Sequence, residues 1–165
     1  MDDLKVLKSA RVLIVEDSPS DVRLIREALR DSDLVVHLSV CKDGAEALEF
    51  LQQAKNDPHV LPDIILLDLN LPRKSGHEVL DEIKHDARLK KIPVLIMSSS
   101  DDERDLAAAY ELNANCYIRK PSDLHEYEKV VRAIEDFWLS TVTLPETYNV
   151  ATPTLVRAAG SPAIR

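Results

Sequence analysis

Acidic side chains directly follow two apolar runs of this sequence, and their type suits metal and phosphate chemistry. Glu16 and Asp17 come after the run at 12–15, and Asp68 comes after the run at 64–67. A single acid at such a place is commonly a turn former or a helix cap. Three acids that meet in space must either bind a cation or have raised pKa values. Ligation by a few carboxylate oxygens favours Mg²⁺, which keeps several of its waters.

If the two runs end at one place, Asp17 and Asp68 are expected to be direct Mg²⁺ ligands, with Glu16 acting through water. A main-chain carbonyl near Asn70 is a candidate for a further oxygen ligand. These roles depend on the elements that carry the residues, because only adjacent strands can bring 16–17 and 68 together.

Two further polar groups follow apolar runs later in the chain. Ser98 supplies a hydroxyl and Lys120 an ammonium. Alone, each has an ordinary interpretation, a polar residue leaving a strand or a solvated lysine. Together with a cation they describe a site in which the Asp68 carboxylate attacks phosphorus. The cation and Lys120 would neutralise the phosphoryl oxygens, and Ser98 would donate a hydrogen bond to the product.

Five short apolar runs alternate with segments of helical period, and this alternation predicts the fold class. Such a chain forms an α/β domain with a parallel sheet covered by helices on both faces. Right-handed crossovers make a doubly wound five-stranded sheet of order 2-1-3-4-5 the simplest topology. In that order the strand order reverses between the first and third strands, and ligands bind at this point. The topology therefore predicts that Glu16, Asp17 and Asp68 line one crevice.

Capping residues and apolar periods predict the ends of several helices. Ser18 and Pro19 have the types expected at an N-cap and first helical position. The third helix is predicted to end near Ala87, and a fourth lies within 101–112. Ser122 is predicted to cap a final helix that reaches about Leu139.

Composition excludes several functional classes. The 165 residues include 21 Lys and Arg against 29 Asp and Glu, so a net charge of −8 argues against nucleic acid or an anionic membrane as the main partner. Two cysteines, Cys41 and Cys116, are too few for a disulfide framework. With no long apolar run and no hydrophobic signal core, we expect a soluble cytoplasmic protein.

The chain is predicted to consist of a lead-in at 1–8, one domain at 9–139 and a C-terminal extension at 140–165. The extension holds three prolines and lacks a helical period. Residues 141–144 could pair as an edge strand. The extension is either a frayed terminus or an arm that packs on a second copy of the chain.

Four motifs resemble those of the receiver domain of two-component response regulators, over about residues 9–139. They are Val-Glu-Asp-Ser at 15–18, Leu-Asp-Leu-Asn-Leu-Pro-Arg-Lys-Ser-Gly at 67–76, Ile-Pro-Val-Leu-Ile-Met-Ser at 92–98 and Tyr-Ile-Arg-Lys-Pro at 117–121. The resemblance implies the flavodoxin-like receiver fold, with Asp68 as phospho-acceptor and an acidic pair, Glu16 and Asp17, for Mg²⁺. It further implies the following roles: Asn70 as a ligand through its backbone carbonyl, Ser98 as the switch hydroxyl, Lys120 as the phosphate-facing lysine, Tyr117 as the switch aromatic, and a cis Lys120–Pro121 bond.

A narrower resemblance concerns receivers that partner phytochrome-type histidine kinases. It is carried by the stretches beginning at Asp68, Tyr110 and Phe137, of which the last, Phe-Trp-Leu-Ser-Thr-Val-Thr-Leu-Pro, lies beyond an ordinary receiver helix. It implies a sensor histidine kinase as phosphoryl donor and a homodimer. Onward transfer to a histidine phosphotransfer protein stays open.

Three hypotheses of different classes follow. The leading one is a single-domain response regulator whose only chemistry is self-phosphorylation and slow autodephosphorylation, since the length leaves no room for an output domain. The second is an aspartyl-phosphate hydrolase of the haloacid dehalogenase type, although that chemistry wants an acid at position 70, where Asn stands. The third is a dimerisation module that does not depend on phosphorylation.

Overall fold

The computed structural model of the chain describes residues 8–145, which form five strands and five α-helices in strict alternation. The strands are β1 Ser9–Val15, β2 Val35–Cys41, β3 Ile64–Leu67, β4 Val94–Ser98 and β5 Cys116–Arg119. The helices are α1 Pro19–Leu29, α2 Gly44–Ala54, α3 Gly76–His85, α4 Glu103–Glu111 and α5 Leu124–Ile134. A 3₁₀ turn at Leu89–Lys91 precedes β4, and a π-helix at Glu135–Thr141 follows α5.

All strand pairings are parallel, and the strand order is β2-β1-β3-β4-β5. Val15 lies opposite Cys41 on β2 and opposite Leu67 on β3, so these three strands end level with one another. The main-chain N–H of Asp68 extends this register by donating to the Val15 carbonyl at 3.0 Å. The predicted doubly wound sheet of order 2-1-3-4-5 is confirmed, and its reversal point lies between β1 and β3.

Successive strand residues face opposite sides of the sheet and pack into two separate cores. On β1, Leu13 and Val15 belong to the core beneath α2, α3 and α4, whereas Val12 and Ile14 belong to the core beneath α1 and α5. Every residue of β3 is buried, as expected for a central strand covered on both faces. The continuous apolar runs of the sequence therefore reflect helices on both sides of the sheet.

Side-chain caps set the start of each α-helix, and they revise one prediction. Ser18 caps α1 as expected, accepting a hydrogen bond from the Asp21 N–H. The cap of α5 is Asp123, whose Oδ1 accepts from the Glu126 N–H at 3.0 Å, so the prediction of Ser122 is wrong. Ser122 instead donates its hydroxyl to Glu126 Oε2 at 3.3 Å. A carboxylate and a hydroxyl are both good caps, and the backbone conformation at 123 selects between neighbours.

The third helix stops earlier than predicted, at His85 rather than near Ala87. Asp86 has an extended backbone, with ψ of 129°, and its Oδ1 accepts from the N–H groups of Arg88 and Leu89. Those side-chain bonds begin the 3₁₀ turn, because an Asp side chain competes with the helix for backbone donors.

The final helix reaches Thr141, slightly beyond the predicted end near Leu139, but its last turns and the residues after them differ from expectation. The final helix passes beyond Ile134 as a π-helix, and the Val142 N–H closes it by donating to the Phe137 carbonyl at 2.9 Å. Thr141 belongs to this helix and its hydroxyl donates to the Asp136 carbonyl, so the edge strand predicted at 141–144 is wrong. The rest of the predicted extension, 146–165, and the first seven residues of the lead-in lie outside the described residues.

The peptide bond between Lys120 and Pro121 is trans, since no bond between residues 8 and 145 is cis. The expected cis bond is therefore wrong for this structure. The trans isomer is the lower in energy by roughly 0.5–1 kcal/mol for an X–Pro bond, so a cis bond needs tertiary contacts to select it. Separately, none of the helices in this described part is long and apolar enough to cross a membrane.

Candidate functional site

The ends of β1 and β3 bring three carboxylates together at the reversal point of the sheet. One oxygen from each of Glu16, Asp17 and Asp68 lies within 4.8 Å of the others. Glu16 and Asp68 are both 4% exposed, whereas Asp17 is open to solvent. We call these three residues the acidic cluster. Their convergence across about fifty residues of sequence follows directly from the parallel pairing of β1 with β3.

Lys120 places its ammonium against this acidic cluster from the end of β5. Its Nζ lies 2.6 Å from Glu16 Oε2 and 2.9 Å from Asp68 Oδ2. The lysine side chain is only 11% exposed, so both contacts are shielded from water. Charge-assisted hydrogen bonds of this kind are stronger than neutral ones and fix the position of a flexible side chain.

The pKa values at the site reflect the burial of its charged groups and the hydrogen bonds between them. Burial raises the pKa of Glu16 to about 7, and the charge of Asp68 adds to this effect against the opposing hydrogen bonds from Lys120 and the Ser18 N–H. Burial alone would lower the pKa of Lys120, but its hydrogen bonds to Glu16 and Asp68 raise it above its usual range. The ammonium therefore stays charged, and the acidic cluster retains the all-oxygen donor set that suits a divalent cation.

Main-chain contacts fix the orientation of Asp68. Its Oδ1 accepts from the Asn70 N–H at 3.2 Å, and the Gly76 N–H donates to the Leu69 carbonyl at 2.9 Å. A Cβ at Gly76 would lie 2.1 Å from the Asp68 carbonyl oxygen, so only glycine allows the loop to close on β3. Asn70 thus follows Asp68 in a tight, glycine-closed loop at the rim of the acidic cluster.

Ser98 and Tyr117 both form hydrogen bonds with the loop that follows β4. Ser98 is fully buried, and its Oγ accepts from the Ser100 N–H at 3.3 Å. The half-buried Tyr117 donates its hydroxyl to the Ser100 carbonyl at 3.1 Å. Ser100 in turn donates its own hydroxyl to Asp105 on α4 at 2.6 Å. Ser98 and Tyr117 therefore both bond to the main chain of Ser100, whose hydroxyl bonds to the first turn of α4.

Two residues at the site were missed by the sequence reasoning. Asp21 Oδ2 lies 3.1 Å from Lys120 Nζ, and the buried Tyr127 donates its hydroxyl to Asp21 Oδ1 at 3.1 Å. In the sequence, an acid in the first turn of a helix is explained by its favourable interaction with the helix dipole. A tyrosine in the apolar stripe of α5 is expected to be a core residue. Neither residue type, at its position in the sequence, indicates a role at this site.

The fold is a doubly wound α/β domain that gathers three carboxylates and a buried lysine at the ends of β1, β3 and β5. These features define a class of protein with a divalent-cation site at the reversal point of the sheet. A sequence model of the family described as "Response regulator receiver domain" matches residues 12–132 of this chain. The chain belongs to the response regulator receiver domain family, which confirms the resemblance inferred from the motifs.

Curated relatives span most of the chain. Response regulator Rcp1 of Synechocystis sp. is 49% identical over 137 residues, which is 81% of this chain and 92% of that protein. The probable methanogenesis regulatory protein FilR2 of Methanothrix harundinacea is 35% identical over 128 residues, covering 78% of this chain and 83% of that protein. The similarity thus extends over more than four-fifths of each of these two relatives.

Solved structures show the same fold. The Mn²⁺-bound form of Rcp1 aligns with a TM-score of 0.76 and 48% identity over 82% of this chain and 99% of the other. The phosphorylated cyanobacterial phytochrome response regulator RcpA aligns with a TM-score of 0.78 and 46% identity over 83% of this chain and 99% of the other. One similar protein therefore holds a divalent cation, and the acidic cluster here offers a donor set of the corresponding kind.

Proposed function

We propose that this chain is a signalling protein that accepts a phosphoryl group on Asp68 from the phosphohistidine of a sensor histidine kinase. The observation that carries the proposal is the buried Asp68 carboxylate, with Oδ2 2.9 Å from the Lys120 ammonium and Oδ1 held by the Asn70 N–H. A nucleophile in this setting is oriented before the donor arrives, which is the main requirement of phosphoryl transfer.

The proposed cofactor is Mg²⁺, held by Glu16, Asp17 and Asp68 together with the backbone carbonyl of Asn70. When bound, the ion supplies positive charge to the phosphoryl oxygens. An Asp68 oxygen forms the new bond to phosphorus, the bond from phosphorus to the donor histidine nitrogen breaks, and that nitrogen keeps the electron pair. Lys120 provides the second positive charge at the phosphoryl group.

Ser98 and Tyr117 are proposed to convert phosphorylation into a change of surface. A phosphoryl group adds roughly −1.5 to −2 charges at neutral pH and strong acceptor oxygens. The Ser98 hydroxyl then has a better acceptor, and its movement loosens the shared contact with Ser100. The Tyr117 hydroxyl, released from the Ser100 carbonyl, can turn inward. The surface formed by α4 and β5 is thereby biased between two states.

The direct test is phosphorylation with a small donor. Purified protein incubated with labelled acetyl phosphate and Mg²⁺ is expected to take up label that is lost on treatment with hydroxylamine. Asp68→Asn should abolish the uptake while circular dichroism shows the fold retained. Glu27→Gln, on the exposed face of α1, is the matched control and should label like the wild type. Undiminished labelling of Asp68→Asn would refute the assignment.

The kinase is proposed to be of the phytochrome type. Support comes from two similar structures, those of the cyanobacterial phytochrome response regulator RcpA and the bacteriophytochrome response regulator AtBRR. Comparing initial phosphotransfer rates from several autophosphorylated histidine kinases, including phytochromes, tests this directly. We further propose a cytoplasmic location and no catalytic turnover of phosphate esters, so p-nitrophenyl phosphate should be hydrolysed no faster than by Asp68→Asn.

A homodimer is also proposed, with its contact at the π-helix that follows α5. Phe137 is 55% exposed and packs edge-to-face on Trp138 with ring centroids 5.4 Å apart. Beside them lies an apolar cleft of about 290 Å³ bordered by Ile118 and Val130. Large exposed aromatic groups next to an apolar cleft are typical of interfaces.

Analytical ultracentrifugation tests this interface. Phe137→Ala and deletion of 146–165 are each expected to shift the protein from dimer towards monomer. Tyr110→Ala, at a comparably exposed aromatic residue on α4, should not. A sedimentation profile unchanged by both interface variants would exclude this mode of association. Phe137→Ala should retain Mg²⁺ binding, because Phe137 lies beyond the C-terminal end of α5, away from the acidic cluster.

A further inference from the structure

We propose that Asp21 is a positioning residue for phosphoryl transfer, holding the Lys120 ammonium beside Asp68 and held in turn by the hydroxyl of Tyr127. The inference rests on the function proposed above, since it concerns how Lys120 is presented to the phosphoryl group. Neither Asp21 nor Tyr127 belongs to the four sequence motifs that carry the resemblance to receiver domains.

The first observation is that Lys120 has no unassigned donor. An ammonium offers three N–H groups. Three carboxylate oxygens surround Nζ, those of Glu16 at 2.6 Å, Asp68 at 2.9 Å and Asp21 at 3.1 Å. Glu16 and Asp68 directly follow the strands β1 and β3, whereas Asp21 lies in the first turn of α1. The third direction of the ammonium is therefore set by a helix rather than by the sheet.

The second observation is that Asp21 is itself fixed. Its Oδ1 accepts the hydroxyl of Tyr127 at 3.1 Å, while its Oδ2 contacts Lys120, so each oxygen has its own partner. Tyr127 has no exposed surface and lies where α5 packs against α1. Burial and the charge of Asp21 raise the pKa of the Tyr127 hydroxyl, which therefore stays protonated as a donor. The orientation of the Asp21 carboxylate is therefore fixed by a buried residue of the core.

The chemical reason is the movement that Lys120 must make. When Asp68 is esterified, negative charge moves from its carboxylate to the phosphoryl oxygens, and one N–H of Lys120 has to follow. A lysine side chain loses about 2 kcal/mol of conformational freedom when it is ordered. Asp21 keeps the ammonium ordered from the α1 side throughout. Without it, the ammonium is drawn towards Glu16, which is already its nearest partner.

The test is a double-mutant comparison in two backgrounds. Asp21→Asn and Tyr127→Phe are each made in the wild type and in Lys120→Met, and initial labelling rates from acetyl phosphate are measured at saturating Mg²⁺. In the wild-type background we expect each to lower the rate roughly 3- to 10-fold, as for a lost contact in a coupled network. In Lys120→Met the same changes should alter the rate less than about two-fold, since no ammonium remains to be positioned.

An independent measurement does not depend on labelling. With ¹⁵N-labelled lysine, the buried Lys120 ammonium is expected to give a slowly exchanging NMR signal in the wild type, lost or broadened in Asp21→Asn and Tyr127→Phe. Glu27→Gln, which removes an acid on the same helix that pairs with Arg30, should leave both the rate and the signal unchanged. If Tyr127→Phe does not fold, Asp21→Asn alone decides the outcome.

The outcomes separate the inference from the proposed function. If the wild type takes up label and both substitutions leave the rate and the Lys120 signal unaltered, the positioning role is refuted and the phosphorylation site stands. Equal losses of rate in the two backgrounds would also refute it, because they indicate a structural effect. If the wild type takes up no label, the proposed function fails, and the Lys120 signal alone still reports on Asp21.

Discussion

At the scale of single residues, the position of Asp68 depends on the main chain more than on any side chain. Its N–H donates to Val15, its Oδ1 accepts from Asn70, and its carbonyl oxygen lies against Gly76. The side chain is therefore already aimed at the reversal point before Lys120 contributes. Gly76 is the least replaceable of these contacts, because it acts through the absence of a Cβ.

We predict that Gly76→Ala impairs both stability and phosphorylation. The added methyl would lie 2.1 Å from the Asp68 carbonyl oxygen, so the loop has to move away from β3. Overpacking of this kind costs about 1–3 kcal/mol. Ser75→Ala is the matched control, since it removes the capping box of α3 at a cost of about 1 kcal/mol without touching Asp68. Urea unfolding and acetyl phosphate labelling should show stability reduced in both variants and labelling reduced in Gly76→Ala alone.

At the scale of elements, the junctions between neighbouring elements rest on side chains that bond to the backbone. The clearest case is the junction of α2 with α3, where Asp86 ends α3, begins the 3₁₀ turn and pairs with Lys55 at 2.6 Å. Arg88 completes the junction by donating to the Lys55 carbonyl at 2.9 Å. These contacts hold the two helices over one core while leaving the acidic cluster untouched.

The Asp86 junction predicts a specific acid sensitivity. Burial by itself would raise the pKa of Asp86, but hydrogen bonds from Lys55, Leu89 and Arg88 lower it to about 2. Because the folded-state pKa lies below that of the unfolded chain, the stabilisation is present above about pH 4 and is lost as the pH falls towards 2. We expect it to be on the order of 1–2 kcal/mol at neutral pH, allowing for partial exposure.

Urea unfolding between pH 2 and pH 7 measures this contribution. Asp86→Asn should be less stable than the wild type at pH 7, and the two curves should converge near pH 2. Glu27→Gln removes an exposed ion pair with Arg30 and should change stability by less than about 1 kcal/mol at any pH. A constant difference between wild type and Asp86→Asn over the whole range would contradict the assigned role of the ionised carboxylate.

At the scale of the whole molecule, the two cores hold strands rigidly while the functional groups gather at one edge of the sheet. Burial is greatest at the centre, where β3 has no exposed residue, and the acidic cluster lies immediately beyond its end. An excess of carboxylates at the rim of a stable sheet is a local cost that a bound cation removes. Binding at this rim should therefore stabilise the fold as a whole.

We predict that Mg²⁺ raises the thermal unfolding temperature. A ligand at 100 times its Kd that binds only the folded state adds about 2.7 kcal/mol. For a domain of this size, that corresponds to a shift on the order of 5–10 °C. Calorimetry with MgCl₂, and with KCl at equal ionic strength as control, measures the effect, and EDTA should reverse it. Asp17→Asn should lose most of the shift, and a full shift in that variant would place the cation elsewhere.

The alternation of apolar runs with helical periods determined the fold, because a strand buried on both faces must be apolar throughout and its connections must be short. The same local pattern placed Glu16, Asp68, Ser98 and Lys120 at strand ends, where parallel topology brings them together. Family membership also followed from sequence alone, since its motifs are local runs of residues. These predictions needed only the pattern of residues that are close in sequence and the rules that govern strand order.

Tertiary structure decided the features that depend on distant or nearly balanced choices. The contacts of Asp21 with Lys120 and Tyr127 join residues 99 and 106 positions apart and leave no local pattern. The choice of Asp123 over Ser122 as the cap of α5 is made between two residue types of nearly equal capping preference. Energy differences this small are set by packing across the whole domain, so residue types alone cannot determine them.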